Sequence, residues 1–290
     1  MSSELERFVA PIRAEFEQTG QRLDELLSAI TRNSVVPDLY ARYVDPPVRH
    51  LFRSGGKLLR PLLVLLAARA VGELGSASSP AVIRAAAAVE LIHTASLAHD
   101  DMVDASARRR GVPSLHVAFG ATAAVLIGDL FYSRFFHEIA VLPGTGPALR
   151  VRLLEMFLGV TARMCEGEIL EQQMRADGAE PSFETYLHIT ETKTADLVSV
   201  CCRAGALLNG AAEPAVEALA GYGRALGLLF QIADDLADGD AAFTDRPLLA
   251  IKADECRRAA ESLLTALPRN DASVMLAGLP GHILSPSPHR

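Results

Sequence analysis

The chain has few cysteines, no excess of positive charge and no apolar run long enough to cross a membrane. Its four cysteines form no C-x-x-C pair and no zinc-type spacing, so we expect buried thiols in a reducing cytoplasm. The longest apolar run, residues 61–71, is interrupted by Arg69 and is shorter than the roughly 20 residues of a transmembrane helix. The net charge of −7 argues against a nucleic-acid-binding protein.

The composition is that of a folded protein. Half of the 290 residues are hydrophobic and 22% are charged, which excludes a disordered chain. No Ser/Gly linker and no charge block divides the chain, so we expect a single domain over residues 1–290. The N-terminus is polar and acidic, unlike a secretory signal, and this favours a cytoplasmic protein.

The sequence is rich in alanine and leucine, and apolar residues recur at helical spacing. Segments rich in Gly, Pro and Asp separate stretches of about 20 residues or more, longer than an average helix. Ser79 is a suitable N-cap with Pro80 at the first helical position, which predicts a helix over residues 80–103. Further helices are predicted over 182–208 and from Pro214 to about residue 238. Long helices with short connections predict an all-α bundle.

A D-D-x-x-D motif occurs twice, at residues 100–104 and 234–238. Each copy ends a predicted apolar helix, where residues i and i+4 share a face, so each presents a pair of carboxylates. Clustered carboxylates repel one another unless a cation or protons intervene, and hard oxygen ligands suit Mg²⁺. Two such helices facing across a cavity would hold a diphosphate through bridging metals. The alternative is that both motifs are solvated helix ends.

Several cations accompany the first motif. Lys57 and Arg60 follow two glycines at a helix start, where they would form an anion site. The three arginines of residues 108–110 could hold phosphate oxygens; alternatively they form a solvated turn or pair with the aspartates. His93 lies on the same stripe as the motif, and is either a structural residue or a hydrogen-bond donor to phosphate.

Around the second motif, Lys193 and Thr194 interrupt the polar stretch HITETKTADL within the predicted helix over 182–208. A mid-helix threonine can bond back to the i−4 carbonyl and bend the helix. Gln231 shares the face of the aspartates at 234 and 238. Gly223 and Gly227 leave a neighbouring strip of that helix without side chains. The glycines serve either close helix packing or room for an apolar substrate.

The chain resembles the polyprenyl synthetase family of trans-isoprenyl diphosphate synthases. The matching segments are GGKLLRP, ELIHTASLAHDDMVD, RRGVPS, VLIGDLFYSRFF, ETKTADL and YGRALGLLFQIADDLAD, in the family's order over residues 50–240. The resemblance implies an all-α single-domain bundle around a deep central cavity, usually a homodimer. It also implies a Mg²⁺-dependent enzyme, with about three ions, that joins isopentenyl diphosphate to an allylic diphosphate and makes an all-trans product.

Residue roles follow from the same resemblance. It assigns four residues to isopentenyl diphosphate: Lys57, Arg60, His93 and Arg110. It assigns another four to the allylic diphosphate: Arg109, Lys193, Thr194 and Gln231. The metal ligands become Asp100, Asp104, Asp234 and Asp238, with Asp101 and Asp235 as further catalytic residues. In the family, bulky residues just before the first motif block the growing chain; Ala95 and Ser96 are small, which predicts a product of geranylgeranyl length or longer. The alternative is that both only allow close helix packing, with a floor supplied by Phe131, Phe135 or a partner chain.

The sequence departs from the family after Asp238. The usual Gly-Lys-Pro-type loop is not recognisable there, and we expect the part after about residue 239 to be shortened or divergent. Two alternatives remain: a class I terpene cyclase and a non-catalytic partner subunit of a synthase. The cations assigned to isopentenyl diphosphate argue against a cyclase, and the complete carboxylate set argues against a non-catalytic subunit.

Overall fold

A computed structural model describes residues 6–32, 35–53, 58–72, 78–238, 243 and 245–285. Within these residues the chain is almost entirely helical, and the remaining regular structure is one two-stranded hairpin. The all-α prediction is therefore confirmed.

The described residues up to 140 form eight α-helices and the hairpin. Their bounds are α1 Glu6–Val9, α2 Arg13–Thr31, α3 Pro37–Tyr43, α4 Asp45–Arg53, α5 Leu59–Val71, α6 Pro80–Val103, β1 Arg108–Arg109, β2 Val112–Pro113, α7 Leu115–Phe119 and α8 Ala121–Ala140, with a 3₁₀ turn at Ala10–Ile12. From residue 147 onward, the part of the chain that the structure describes forms six more α-helices. Their bounds are α9 Pro147–Ala176, α10 Phe183–Thr190, α11 Asp196–Leu208, α12 Glu213–Asp238, α13 Arg246–Leu263 and α14 Asp271–Leu284, with a π-helical turn at Glu191–Ala195 and a 3₁₀ turn at Leu264–Ala266.

The predicted helix starts agree well with the structure. α6 covers the predicted residues, and the Val82 amide donates to the Ser79 hydroxyl as expected of an N-cap. α12 begins one residue before the predicted Pro214. The predicted helix over 182–208 is capped by Ser182 but is interrupted by a π-helical turn, so the chain there forms α10, the turn and α11 in succession.

The packing divides the chain into two compact units. The first comprises the described parts of residues 1–62 and 79–145, and the second those of 63–78 and 146–290. In the first unit α6 packs against α2 and α8 around Leu91, Phe131 and Phe135. In the second, α12 lies against α11 and α13. A compact unit is not necessarily a separate domain, so the single domain over residues 1–290 stays a prediction. The divergence of the chain after about residue 239 also stays a prediction.

The two glycines of α12 serve close packing. A Cβ at Gly223 would lie 2.7 Å from the Val198 carbonyl oxygen, and one at Gly227 would lie 2.6 Å from the Ala195 Cα. Both distances are shorter than van der Waals contact, and backbone cannot yield as a flexible side chain does. Of the two interpretations of these glycines, helix packing is therefore the one that the structure supports.

Judged by length and composition alone, α6 is long and apolar enough to cross a membrane. This differs from the expectation that the chain has no such segment. Of its most apolar 18-residue window, 78% is buried inside the protein, as in the core helix of a soluble protein. The four cysteines all lie among the described residues, and none forms a disulfide there; Cys201, Cys202 and Cys256 are buried as expected. Cys165 is exposed, so the expectation of a buried thiol is wrong there, because α9 turns this residue outward.

Candidate active site

The first acidic motif lies at the C-terminal end of α6, and its three carboxylates differ in burial. Asp101 is 1% exposed, Asp100 is half-buried, and Asp104, the C-cap residue, is exposed. Negative charge at a helix C-terminus opposes the helix dipole, so this placement costs stability. The motif therefore needs positive charge nearby, and the chain supplies it immediately after the helix.

Arg109 pairs with the buried Asp101. Its Nε lies 2.8 and 2.9 Å from the two carboxylate oxygens, and its Nη2 lies 2.7 Å from Oδ1. Of the alternatives for the three arginines, the pairing with an aspartate is thus realised by Arg109. This bidentate contact occupies the Asp101 carboxylate and ties the hairpin to the end of α6.

The hairpin holds Arg110 in an unusual backbone conformation. β1 pairs with β2 so that Arg109 is opposite Val112, which leaves Arg110 and Gly111 as the two loop residues. Their φ angles are 49° and 83°, as a type I′ turn requires. A non-glycine residue rarely adopts a positive φ. His50 of α4 anchors the hairpin through a 2.8 Å hydrogen bond to the Pro113 carbonyl oxygen.

Arg60 and Arg110 form a cationic cluster with His93 and Glu90. Burial, followed by the charges of Arg60, Arg110 and Arg109, holds the pKa of His93 well below its usual range, so its ring is neutral at pH 7. Burial raises the pKa of Glu90, against the pull of Arg60 and Arg110. Two guanidinium groups beside a neutral imidazole that can donate a hydrogen bond suit an anion. Lys57, the fourth expected member, lies outside the described residues.

Ala95 and Ser96, the positions expected to set product length, lie on α6 about one turn before the first acidic motif. Ala95 is fully buried, and Ser96 is half-buried with its hydroxyl donating to the His93 carbonyl oxygen at 2.9 Å. Phe131 and Phe135 of α8 are fully buried in the same unit. A small side chain at Ala95 accommodates either close packing or an apolar ligand, so its role stays a prediction.

In the second unit, a π-helical turn carries Lys193 and Thr194. The Thr192 hydroxyl donates to the carbonyl oxygens of His188 and Ile189, at 2.9 and 3.1 Å. This is the expected back-bond, but Thr192 makes it rather than Thr194. Such π-helical turns are frequent at functional sites because they re-aim side chains.

Lys193 is paired with two glutamates of α9 that the sequence interpretation missed. Its Nζ lies 2.6 Å from Glu168 and also contacts Glu171. Burial lowers the pKa of Lys193, but the hydrogen bonds to both carboxylates outweigh it and raise the pKa, so the ammonium stays charged. The spacing of three residues on α9 placed the two glutamates on one face, a signal that could have been used.

Asp235 is held by a chain of hydrogen bonds. Tyr186 donates to its Oδ2 at 2.5 Å, and the Gln231 amide nitrogen donates to its Oδ1 at 2.9 Å. Thr194 in turn donates to the Gln231 amide oxygen at 3.3 Å. Burial and the bond to Asp235 raise the pKa of the Tyr186 phenol far above its usual range, so it remains a donor. Sequence interpretation missed Tyr186.

A cavity of about 690 Å³ lies beside this hydrogen-bonded chain. Its lining includes the expected residues Lys193, Thr194, Gln231 and Asp235, and it also includes Tyr186. The structure thus brings together four of the residues expected around the second motif. A cavity of this size can hold a small-molecule ligand.

The expected metal ligands are described only in part. Asp234 is half-buried in the last turns of α12, whereas the side chain of Asp238 lies outside the described residues. Among the residues that the structure describes, no group of three or more His, Cys, Asp or Glu side chains is arranged to hold a metal ion. The four-carboxylate metal set therefore stays a prediction.

The sequence model of the polyprenyl synthetase family matches residues 41–245, about 70% of the chain. The chain belongs to the polyprenyl synthetase family. Its match with octaprenyl diphosphate synthase from Haemophilus influenzae is 40% identical and covers 66% of this chain and 55% of that protein. Its match with geranylgeranyl diphosphate synthase from Methanosarcina mazei is 38% identical and covers 66% and 57% of the two chains.

The aligned region therefore spans a little over half the length of these curated relatives. A solved structure extends the likeness. The polyprenyl synthase from Caulobacter crescentus, complexed with calcium and isoprenyl diphosphate, superposes with a TM-score of 0.78 at 27% identity, over 97% of this chain and 98% of that one. The all-α architecture of the chain is thus matched in a solved relative.

Proposed function

We propose that this polyprenyl synthetase is a Mg²⁺-dependent prenyltransferase that condenses isopentenyl diphosphate with an allylic diphosphate to give an all-trans prenyl diphosphate. The observation that carries the proposal is the cluster of Arg60, His93 and Arg110 beside the first acidic motif. A terpene cyclase ionises a single allylic diphosphate and has no use for a second anion site. Membership of the family supports the same reaction class.

In this proposal the cationic cluster binds isopentenyl diphosphate. Arg60 and Arg110 hold its oxygens, and neutral His93 donates a hydrogen bond without adding charge. Lys57, just before Leu58, completes the set. The buried Glu90 limits the net positive charge of the cluster. The Asp101 pair sets the position of Arg110 through the hairpin.

The allylic diphosphate is proposed to bind beside Lys193, Thr194 and Gln231. Lys193 stays protonated between two glutamates, and a diphosphate would share it with them. Arg109 engages Asp101 through Nε and Nη2, so a diphosphate oxygen would be held from its Nη1. In the reaction the allylic C–O bond breaks with its electron pair on the diphosphate, the isopentenyl double bond attacks the allylic cation to form the new C–C bond, and the released diphosphate takes up the proton that is lost. An apolar cavity would keep water from the allylic cation.

Asp100, Asp104, Asp234 and Asp238 would hold the Mg²⁺ ions, about three by family resemblance. Carboxylate oxygens are the ligands that Mg²⁺ prefers, and Asp100 and Asp104 share a face at the end of α6, so the donor set fits. When bound, Mg²⁺ supplies charge stabilisation to the leaving diphosphate. Calcium in the Caulobacter relative supports a divalent-cation site in this family.

We also propose a homodimer in the cytoplasm. The free state of all four cysteines supports a reducing compartment. Light scattering coupled to size-exclusion chromatography measures the oligomeric state, and a mass of twice 31.0 kDa is the expected result.

The decisive experiment is an assay of the purified chain with Mg²⁺, isopentenyl diphosphate and farnesyl diphosphate. An elongated diphosphate is the expected product. A hydrocarbon or alcohol from farnesyl diphosphate alone would identify a cyclase instead. No product, together with gained activity of an added homologous synthase, would identify a non-catalytic partner subunit.

Replacing Arg110 by alanine is expected to weaken the binding of isopentenyl diphosphate much more than that of the allylic substrate. Loss of one charged hydrogen bond costs about 1.5–3 kcal/mol, so the KM for isopentenyl diphosphate should rise roughly tenfold or more. Steady-state kinetics with each substrate varied in turn measure both constants. Arg108→Ala, in the same hairpin but bonded to the Gly111 carbonyl oxygen, is the matched control and should change neither constant. Equal effects of Arg110→Ala on the two substrates would contradict the assignment.

Ala95→Phe is expected to shorten the product. If Ala95 lines the space that receives the growing chain, the wild type makes geranylgeranyl diphosphate or longer, and a phenyl ring there stops growth near farnesyl length. Burial of each added isoprene unit would stabilise the bound chain by about 0.8 kcal/mol per CH₂ group. Chromatography of the dephosphorylated products compares the two proteins, with Ala95→Gly as the control. Unchanged product length in an active, folded Ala95→Phe variant would show that Ala95 serves packing alone.

A further inference from the structure

Asp235 belongs to the second acidic motif, yet both of its carboxylate oxygens already accept hydrogen bonds from the chain. Tyr186 donates to Oδ2 and Gln231 donates to Oδ1. Thr194 donates to the amide oxygen of Gln231, which turns the amide nitrogen toward Asp235. Side chains of the protein therefore fix the orientation of the Asp235 carboxylate. A carboxylate oriented only by its ligand would lack these two hydrogen bonds.

Tyr186 is the member of this group that connects separate elements. It lies on α10 and is 5% exposed, while the carboxylate that it reaches is on α12. Its ring stacks on Phe243, with centroids 5.7 Å apart and planes 28° apart. Packing fixes the ring and the hydrogen bond fixes the hydroxyl, so the last turns of α12 are tied to α10 at one defined point.

We propose that Tyr186 is a positioning residue of the second acidic motif: by fixing Asp235, it sets the orientation in which α12 presents Asp234 to the Mg²⁺ that would accompany a bound diphosphate. Asp235 then serves as an anchor of the helix end. The proposal rests on the proposed function, since the diphosphate is the ligand that the motif would meet. It also accounts for a polar hydroxyl in the wall of the cavity.

Tyr186→Phe removes the hydroxyl and keeps the ring stacked on Phe243. We expect kcat to fall roughly tenfold, the effect of one hydrogen bond to a charged group, and the KM for isopentenyl diphosphate to stay within about twofold. Titration of the protein with inorganic diphosphate in the presence of Mg²⁺, followed by thermal unfolding, gives a readout independent of turnover. The half-maximal diphosphate concentration should rise about tenfold.

Tyr222→Phe is the matched control. Tyr222 is also on α12 and fully buried, and its hydroxyl donates to the Leu276 carbonyl oxygen, away from the acidic motif. It should lower the melting temperature without changing the diphosphate titration. If Tyr186→Phe behaves as Tyr222→Phe does, with stability lost and kcat and the titration unchanged, Tyr186 is structural and the proposal is wrong.

A double-mutant cycle with Asp235→Asn tests the route of the effect. If Tyr186 acts through Asp235, the double variant should need the same diphosphate concentration as Asp235→Asn alone, whereas additive losses would contradict the proposal. A wild type that makes no product yet is stabilised by Mg²⁺ and diphosphate would refute the proposed function, and the titrations would still decide the role of Tyr186. A wild type with neither property would refute both.

Discussion

Glu138→Ala is expected to destabilise the protein by about 3–5 kcal/mol, the cost of breaking a buried ion pair. Glu138 is completely buried near the end of α8, where three arginines surround it: Arg84 at 2.5 Å, Arg134 at 3.0 Å and Arg22 at 3.3 Å. These arginines come from α6, α8 and α2. Removal of the carboxylate leaves three neighbouring guanidinium groups that repel one another, which places the expected loss at the upper end of this range.

Urea unfolding followed by circular dichroism measures the change in the free energy of unfolding. Glu25→Ala is the matched control, because Glu25 also pairs with Arg22, at 2.8 Å, but is 66% exposed. An exposed pair contributes about 0–1 kcal/mol. Glu138→Gln keeps the shape of the side chain without its charge. Its loss in the free energy of unfolding should lie between those of Glu138→Ala and Glu25→Ala. A Glu138→Ala variant as stable as Glu25→Ala would show that the cluster does not hold the three helices together.

The helical architecture was predictable because it depends on local signals. The Ser79–Pro80 pair marks the start of α6, and helical apolar spacing continues to its acidic end. The interruption at Glu191–Ala195 was not predictable in the same way. A π-helical turn differs from an α-helix by one residue in its hydrogen-bond spacing, and the apolar periodicity of the segment does not show where such a turn falls.

Partners that come from distant parts of the chain were missed for a different reason. The motif pattern singles out Lys193 and Asp235, but it does not show that Glu168 and Glu171 neutralise the first or that Tyr186 holds the second. These contacts join helices separated by 22 to 49 residues in sequence, and helical periodicity carries no information on which faces meet. The pairing of Arg109 with Asp101, eight residues apart, was foreseeable as one of two alternatives.

Asp100→Ala and Asp234→Ala are each expected to reduce kcat by about 10³-fold or more while the fold persists. The proposed Mg²⁺ ions supply several kcal/mol of charge stabilisation, and each 1.36 kcal/mol is a tenfold rate effect. Stability should be unchanged or higher without metal, because both residues lie near helix C-termini, where negative charge opposes the dipole. Kinetics with Mg²⁺ and circular dichroism with and without Mg²⁺ test the two halves of the prediction.

The exposed Asp24 of α2 provides the matched control, since Asp24→Ala removes the same group from a residue of the first unit that belongs to neither acidic motif. It should leave kcat unchanged. Asp100 and the buried Asp101 are adjacent but should differ, because Asp101 is bonded bidentately to Arg109: loss of Asp100 costs activity, whereas loss of Asp101 also releases the hairpin. Turnover within about twofold of wild type in either Asp100→Ala or Asp234→Ala would refute the two-motif metal site, since a metal held by both motifs requires a carboxylate from each.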